Sequence, residues 1–275
     1  MRTDDVAGGC WSRSDYILLS NRSQIVSAGK GVAGLAVQRP EAPGDQTNLL
    51  PTSNPHPVTM PDQANQPRLP PVQLDWTDPH MPGPMVPGGM MRLTRSLTSG
   101  LTRRASDAPG VFWGVGDRGP NIKPGDAVER YGLDALRPLI GLDGARVMPL
   151  SETGPALARF RMTEDEIVLE AVFPLRAADG TTLTGIPPAP LPGMETEPAF
   201  TIDGEALPPS SFGADTEGIA ALPDGRFWIA DEYGPSLLLV DADGVVERRL
   251  VPIGGAAMFS GAPVQIGRAS WRERV

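Results

Sequence analysis

Residues 215–252 read DTEGIAALPDGRFWIADEYGPSLLLVDADGVVERRLVP, a stretch in which short apolar runs alternate with tight turns. Asp224-Gly225 lies between the first two of these runs, and Asp243-Gly244 lies between the last two. An Asp-Gly pair between apolar runs is a strong signal for a β-hairpin, because both residues tolerate a positive φ. The runs RFWIAD, SLLLVDADG and VVERRLVP are therefore predicted to be successive antiparallel strands, preceded by a first strand around Glu217.

An earlier stretch of the chain follows the same plan. Residues 99–120 read SGLTRRASDAPGVFWGVGDRGP. Phe112-Trp113 and Gly119-Pro120 match Phe227-Trp228 and Gly234-Pro235 at a constant offset of 115 residues (112 to 227, 119 to 234). The runs that follow, ALARFRM and EIVLEAVFPL, match the last two predicted strands of the other stretch. The chain thus carries two copies of one four-stranded unit, which is the signature of a repeat architecture.

Four-stranded antiparallel units in series are the plan of a β-propeller, whereas a β-sandwich is the alternative that also uses short strands and turns. The repeat favours the propeller. Because only two units are visible and a propeller typically has about four to eight blades, we expect an all-β fold, a partial β-propeller built of four-stranded antiparallel blades. An insertion at about 121–154 is expected to include a short helix, and residues 185–213 are expected to form a long excursion.

Three regions are predicted along the chain. Residues 1–90 hold thirteen prolines between Pro40 and Pro87. Since proline removes a backbone donor and restricts φ, we expect a mostly disordered Pro-rich leader. Residues 91–265 are predicted to form the propeller domain. Residues 266–275, IGRASWRERV, resemble the translation of a common sequencing-adapter oligonucleotide, so we expect a non-native tail there and a natural gene that continues.

The charge of the chain excludes some partners. The net charge is −9. Residues 151–250 hold 18 Asp or Glu against six Arg. Such a surface repels nucleic acid and anionic membranes, so neither is an expected partner. The chain has no run of about 18 apolar residues that would span a membrane, and its N-terminus lacks the apolar core of a signal peptide. Arg248 and Arg249 are expected at a solvated strand edge.

The stretch at 215–252 resembles the phytase-like family, which is usually described as having esterase-like activity. Residues 99–121 are similar to the opening blade of the same domain, and the resemblance extends over about 91–262. The resemblance implies a β-propeller that is frequently exported, and hence a periplasmic or extracellular location. It also implies a hydrolytic role on small-molecule phosphoesters or other esters.

The predicted propeller contains no His and no Cys, which excludes a Ser-His-Asp triad, a Cys nucleophile and His-rich zinc sites from it. Carboxylates and backbone carbonyls remain, and these are the ligands that hard cations such as calcium prefer. Asp215 and Glu217 stand on one face of a strand because side chains alternate. We therefore predict a divalent cation, with calcium as the candidate, held by Asp215, Glu217 and Asp231.

The predicted reaction is metal-assisted hydrolysis of an ester, a phosphoester in particular, at an acidic propeller channel. Glu217, Asp231 and Glu232 are the predicted catalytic residues, and Arg118 with Asp117 the predicted substrate-binding residues. Two alternatives stay open. The acids could instead cap turns and pair with backbone amides of neighbouring blades, and the whole domain could be a non-catalytic propeller that binds a ligand or a protein partner.

Overall fold

The structure, a computed structural model, describes residues 17–20, 24–27 and 73–268. The chain divides into two units, which are residues 1–18 with 26–73 and residues 19–25 with 74–275. Three short strands are described in the N-terminal part: β1 (Ile17–Ser20), β2 (Gln24–Ser27) and β3 (Gln73–Asp75). All that follows concerns residues 74–268 of the second unit.

The second unit consists mainly of strands. In chain order its elements are β4 (Met81–Val86), β5 (Gly89–Leu93), β6 (Gly100–Thr102), β7 (Val111–Val115), α1 (Pro124–Tyr131), a 3₁₀ helix (Asp134–Leu139), β8 (Arg146–Val147), β9 (Ala156–Met162), β10 (Ile167–Pro174), β11 (Ala199–Phe200), β12 (Thr216–Ala221), β13 (Phe227–Asp231), β14 (Ser236–Val240), β15 (Val246–Val251), a second 3₁₀ helix (Gly255–Phe259) and β16 (Gln265–Arg268). This content confirms the all-β class.

Each copy of the sequence repeat forms an antiparallel sheet in the predicted strand order. The first sheet runs β6-β7-β9-β10 and the second β12-β13-β14-β15. The second sheet is extended by β16, which pairs parallel with β15. The short strands β8 and β11 pair in parallel and lie in the two segments that were predicted as insertion and excursion. None of the helices among the described residues is long and apolar enough to cross a membrane.

Apolar side chains from both sheets form one shared core. Trp113 of the first sheet packs against Phe227 of the second, with ring centroids 5.1 Å apart, and it also stacks on Phe173 at 6.0 Å. The Arg104 guanidinium lies 4.5 Å from the centroid of the Trp113 ring. Burial of such large rings supplies much of the free energy that holds two sheets together. The Phe-Trp motif of the first repeat thus joins the two sheets.

The sheets come closest at their first strands, β6 and β12. A Cβ added at Gly100 would lie 2.9 Å from the Cα of Gly218, so only glycine allows this approach. The amide of Ala221 donates a hydrogen bond to the Thr102 hydroxyl oxygen over 3.1 Å. The Thr216 hydroxyl donates to the carbonyl of Gly116. These contacts place the beginning of β12 beside the end of β7.

The insertion carries the predicted short helix, α1, and a β-hairpin packs on it. Val86, Met91 and Leu93 of the β4-β5 hairpin share a buried cluster with residues of α1 and of the 3₁₀ helix after it. The prediction of a disordered leader is therefore wrong for residues 73–90. Proline is tolerated in β4 because this strand pairs with β5 alone, which leaves one edge without ladder bonds.

The rest of the predicted leader lies outside the described residues, apart from β1 and β2. Of the predicted non-native tail at 266–275, the first three residues belong to β16, and the others lie outside the described residues.

Gly100→Ala tests the close approach of the sheets. Because its Cβ would meet the backbone of Gly218, we expect the free energy of unfolding to fall by about 1–3 kcal/mol, as for other overpacked sites. Gly125→Ala is the control, since a Cβ in this first turn of α1 meets nothing within 4 Å. Ala should be neutral or up to about 1 kcal/mol stabilising there. Urea denaturation of both variants measures the difference, and equal stabilities would contradict the packing described.

Candidate functional site

Acidic residues from both repeats meet where the two sheets come together. Asp117 and Arg118 follow directly after β7, Asp215 immediately precedes β12, and Glu217 lies within β12. Glu232 follows directly after β13. Asp117 and Glu232 occupy equivalent positions of the repeat, at the offset of 115 residues. The repeat therefore contributes one carboxylate from each copy to the same place.

Three carboxylates form a compact cluster. Oxygen atoms of Asp117, Asp215 and Glu217 lie within 4.8 Å of one another. Asp215 is 0% exposed, and neither of its carboxylate oxygens accepts a hydrogen bond from a protein donor, although one forms an ion pair with Arg118. A buried carboxylate is costly unless its oxygens have partners. Buried and exposed oxygen ligands in one cluster suit a hard cation such as calcium.

Arg118 is the cation around which the acids are arranged. Its side chain is buried, and its guanidinium contacts four carboxylates: Asp117 through Nε at 3.4 Å, Glu197 through Nη1, and Asp215 and Glu232 through Nη2, the last at 3.6 Å. All three nitrogens are thus engaged with protein acids. In this geometry Arg118 balances the charge of the cluster, and its role in binding the substrate anion stays a prediction.

Burial and neighbouring charges shift the pKa values of all three acids in the cluster. Burial raises the pKa of Asp215 to about 10, and the neighbouring Asp117 carboxylate adds to the rise. Burial also acts on Asp117, but its interactions with Asp215 and with Arg118 hold the pKa of Asp117 below its ordinary value. Partial burial and the charges of Asp117 and Glu232 raise the pKa of Glu217. At neutral pH Asp215 therefore carries a proton that an entering cation would have to displace.

An open cleft of about 730 Å³ is connected to the cluster through Arg118, although Asp117, Asp215 and Glu217 are not part of its lining. Four acids line it, and two of them, Glu197 and Glu232, also contact Arg118. Most of its other lining residues are small or apolar, and none is Lys or Arg. Besides Glu197 and Glu232, the cleft is lined by Asp143, Gly144, Pro188, Pro190, Met194, Glu195, Thr196, Tyr233, Gly234 and Met258. The size is that of a small-molecule site.

Asp231 lies in the interior rather than in the cluster. Its Oδ1 accepts hydrogen bonds from the amides of Asp215 at 2.8 Å and Tyr233 at 3.1 Å. Its Oδ2 accepts from the Ser236 hydroxyl at 2.7 Å and forms an ion pair with Arg249 at 3.2 Å. Both oxygens are thus used. This geometry fits the alternative in which an acid pairs with backbone amides, and it gives no support to a catalytic or metal-binding role for Asp231.

Arg249 differs from the sequence-based expectation. Arg248 is exposed as expected, but Arg249 is 0% exposed, so a solvated edge is the wrong description of it. Its guanidinium lies 4.1 Å from the centroid of the Phe259 ring and donates to the carbonyl of Gly213 over 2.9 Å. The reason is the buried Asp231 carboxylate, which requires a cationic partner on the inner face of the second sheet.

Three residues of the site were not predicted from the sequence: Glu197, Arg146 and Tyr233. Glu197 joins Arg118 to Arg146, whose Nη2 lies 2.9 Å from a Glu197 oxygen. Glu197 belongs to the irregular segment at 185–213, which has no periodicity to mark it. Tyr233 lies with its ring centroid 5.4 Å from the Arg118 guanidinium. Tyr233 could have been found, because the offset of 115 residues aligns it with Arg118.

Arg249→Met tests the buried ion pair. The substitution leaves the Asp231 carboxylate buried without its cation, so we expect a loss of about 3–5 kcal/mol in the free energy of unfolding, or failure to accumulate as soluble protein. The matched control is Arg248→Met, because Arg248 is exposed and its guanidinium donates a hydrogen bond to the neutral side chain of Gln265 over 3.2 Å. The control should stay within about 0.5 kcal/mol of the parent. An Arg249→Met protein as stable as the control would refute the arrangement.

Asp215→Asn tests the proton held at Asp215. The folded protein holds a proton at Asp215 up to a pKa of about 10, whereas the unfolded chain releases it near 3.8. This residue therefore makes stability fall as pH rises between those values, and Asn removes the effect. We expect the drop in Tm from pH 6 to pH 9, measured with chelator present, to shrink by at least about 2–4 °C. The exposed Asp165→Asn should leave the drop unchanged, and an unchanged drop in Asp215→Asn would contradict the prediction.

Comparison with known proteins supports the resemblance seen in the sequence. The model of a family described as "Phytase-like: Esterase-like activity of phytase" matches residues 96–265, more than half of the chain. A relative from Arthroderma benhamiae, described as an uncharacterized secreted protein, is 29% identical over 158 residues, which cover 52% of this chain and 28% of the relative. The chain thus spans well under two thirds of that relative. No solved structure matches. The family match shows that this chain belongs to the phytase-like family.

Proposed function

We propose that the protein is an ester hydrolase that acts on phosphoesters with the help of a divalent cation. The observation that carries the proposal is the convergence of Asp117, Asp215 and Glu217 within 4.8 Å, a cluster that Arg118 connects to Glu232 in the lining of an open cleft. The family description adds support for an esterase-like reaction. Calcium is the candidate ion, because the ligands are all oxygens and because such sites in proteins combine carboxylates with carbonyls and water.

The protein's own residues have separate tasks in this proposal. The backbone at Asp215 is held in place because its amide donates a hydrogen bond to the Asp231 carboxylate. Asp117 and Glu217 complete the set of cation ligands. Glu232, whose side chain is 58% exposed between cluster and cleft, is the candidate general base that takes a proton from water. A bound cation would polarise an ester oxygen and favour ionisation of a water molecule.

Arg118 has a positioning role. Since it contacts Asp117, Asp215 and Glu232 together, it holds acids from three segments at fixed spacing and limits their mutual repulsion. Its guanidinium does not bind the substrate anion in this proposal. The cation takes over that task, because the cleft has no Lys or Arg of its own.

The fold in this proposal is an incomplete β-propeller. The two sheets are consecutive blades, and β6 and β12, which meet at Gly100 and Gly218, are their innermost strands. Glu217 then lies at the mouth of the central channel. Glu217 is exposed although it belongs to β12, and this exposure supports its placement at the mouth of the channel.

The substrate is a small molecule, and the acidic cleft disfavours nucleic acid as a partner. A phosphoester would approach this surface only with a cation that offsets the charge of both. The description of the relative as secreted supports action outside the cell.

A non-catalytic binding module is the second candidate. The observation that favours it is the Arg118 network itself, which is electrostatically compensated by protein groups without any ligand. In that case the cleft would bind a ligand without changing it.

Calcium titration and hydrolysis of p-nitrophenyl phosphate and p-nitrophenyl acetate test the two candidates. Glu217→Gln and Asp215→Asn should each weaken calcium binding, measured by calorimetry, by at least about 10-fold. They should lower kcat by about 10²–10⁴-fold, the usual range for loss of a group that activates water, and a chelator should abolish turnover.

Glu164→Gln is the matched control, because Glu164 is an exposed acid remote from the cluster in sequence and absent from it. It should bind calcium and turn over as the parent does. Calcium binding without hydrolysis would favour the binding module. Binding and turnover that survive in both cluster variants would reject both candidates at this site.

A further inference from the structure

A second cleft, of about 430 Å³, has the opposite charge. It lies between the β4-β5 hairpin, the turn after β7 and α1, along which it extends from Lys123 at the start to Tyr131 at the end. Four cationic side chains line it and only one acid, Asp126, does: the cations are Arg92, Lys123, Arg130 and Arg146. Such a concentration is unexpected in a chain with a net charge of −9. We call this cavity the basic cleft.

Three of the four cations have no acidic partner. Among the ion pairs of residues 74–268, none includes Arg92, Lys123 or Arg130. The fourth, Arg146, pairs with Glu197. Like charges around one concave surface raise each other's energy, and low-dielectric walls strengthen that field. An anion in the cleft would relieve this repulsion.

The walls also provide directional hydrogen-bond donors. Lys123 is the N-cap of α1 but makes no side-chain capping bond, so the first amides of the helix lack that partner. The positive end of the helix dipole adds to the field of the side chains. Thr94, Ser96 and Asn121 line the same cavity with hydroxyl and amide groups. Donors therefore surround the space from the hairpin, the turn and the helix.

We propose that the basic cleft binds a phosphate group, either free or as part of an organic phosphate. A tetrahedral dianion has acceptor oxygens in several directions and matches donors on several walls. The planar guanidinium forks of Arg92 and Arg130 and the point charge of Lys123 are the usual groups for this task. This site is separate from the acidic cluster, and its existence does not depend on hydrolysis.

Arg146 connects the two regions. It lines the basic cleft, while its Nη2 pairs with Glu197, which in turn contacts Arg118. A phosphate that draws Arg146 towards the basic cleft would weaken its hold on Glu197. Occupancy of the basic cleft is thereby linked to the arrangement of acids around Arg118.

Calorimetric titration of the full chain with inorganic phosphate tests the proposal, at constant ionic strength and with chelator present so that no metal contributes. We expect one saturable site. Arg92→Gln and Lys123→Gln should each weaken binding at least about five-fold, in line with the loss of one charge-assisted contact. Arg137→Gln is the control, because Arg137 is an exposed cation whose ion pair is with Asp134 outside the cleft. It should bind as the parent does.

A parallel titration with glycerol 3-phosphate identifies the source of the phosphate group. Tighter binding of glycerol 3-phosphate indicates an organic phosphate, and equal binding indicates recognition of the phosphate alone. Circular dichroism confirms that the variants, both altered at exposed positions, remain folded. Absence of saturation at concentrations on the order of 10 mM, or equal weakening in Arg137→Gln, would overturn the proposal.

Discussion

The contact of the Arg118 guanidinium with the buried Asp215 is the interaction on which the rest of the site depends. Asp215 is 0% exposed, and Arg118 reaches it from the end of β7, in the other sheet. The same guanidinium also contacts Asp117, Glu197 and Glu232. One cation thus orders acids from four segments, and the acids remain in excess. That excess explains both the proton held at Asp215 and the suitability of the cluster for a divalent cation.

A second buried pair, Asp231 with Arg249, fixes the backbone next to the contact of Arg118 with Asp215. Asp231 and Arg249 are both enclosed, and Asp231 accepts the amide of Asp215 and that of Tyr233. The backbone on either side of the cluster is therefore fixed by one side chain. Removal of either charge would leave its partner buried and alone, which costs far more than an exposed pair. The geometry of the site is in this way tied to the stability of the second sheet.

Charge is segregated over the surface of the second unit. The acidic cleft beside Glu232 has no cation in its lining, whereas the basic cleft beside Lys123 has four. Arg146 and Glu197 lie between them and pair with each other. A cationic ligand would thus be attracted to the acidic cleft and an anionic ligand to the basic cleft. The ion pair of Arg146 with Glu197 connects the two clefts.

Local sequence determined the strands and their order, because Asp-Gly turns and the alternation of side chains act over a few residues. The same logic predicted that Asp215 and Glu217 share one face at the beginning of β12, and the stretch at 215–252 identified the family. Tertiary packing alone decided that Asp117 joins them, that Asp231 turns inward to Arg249, and that Glu197 is recruited from an irregular segment. The first of these outcomes requires the contact between the two sheets, in which Gly100 and Gly218, more than 100 positions apart, meet. A pattern with a period of two residues carries no information about such a contact.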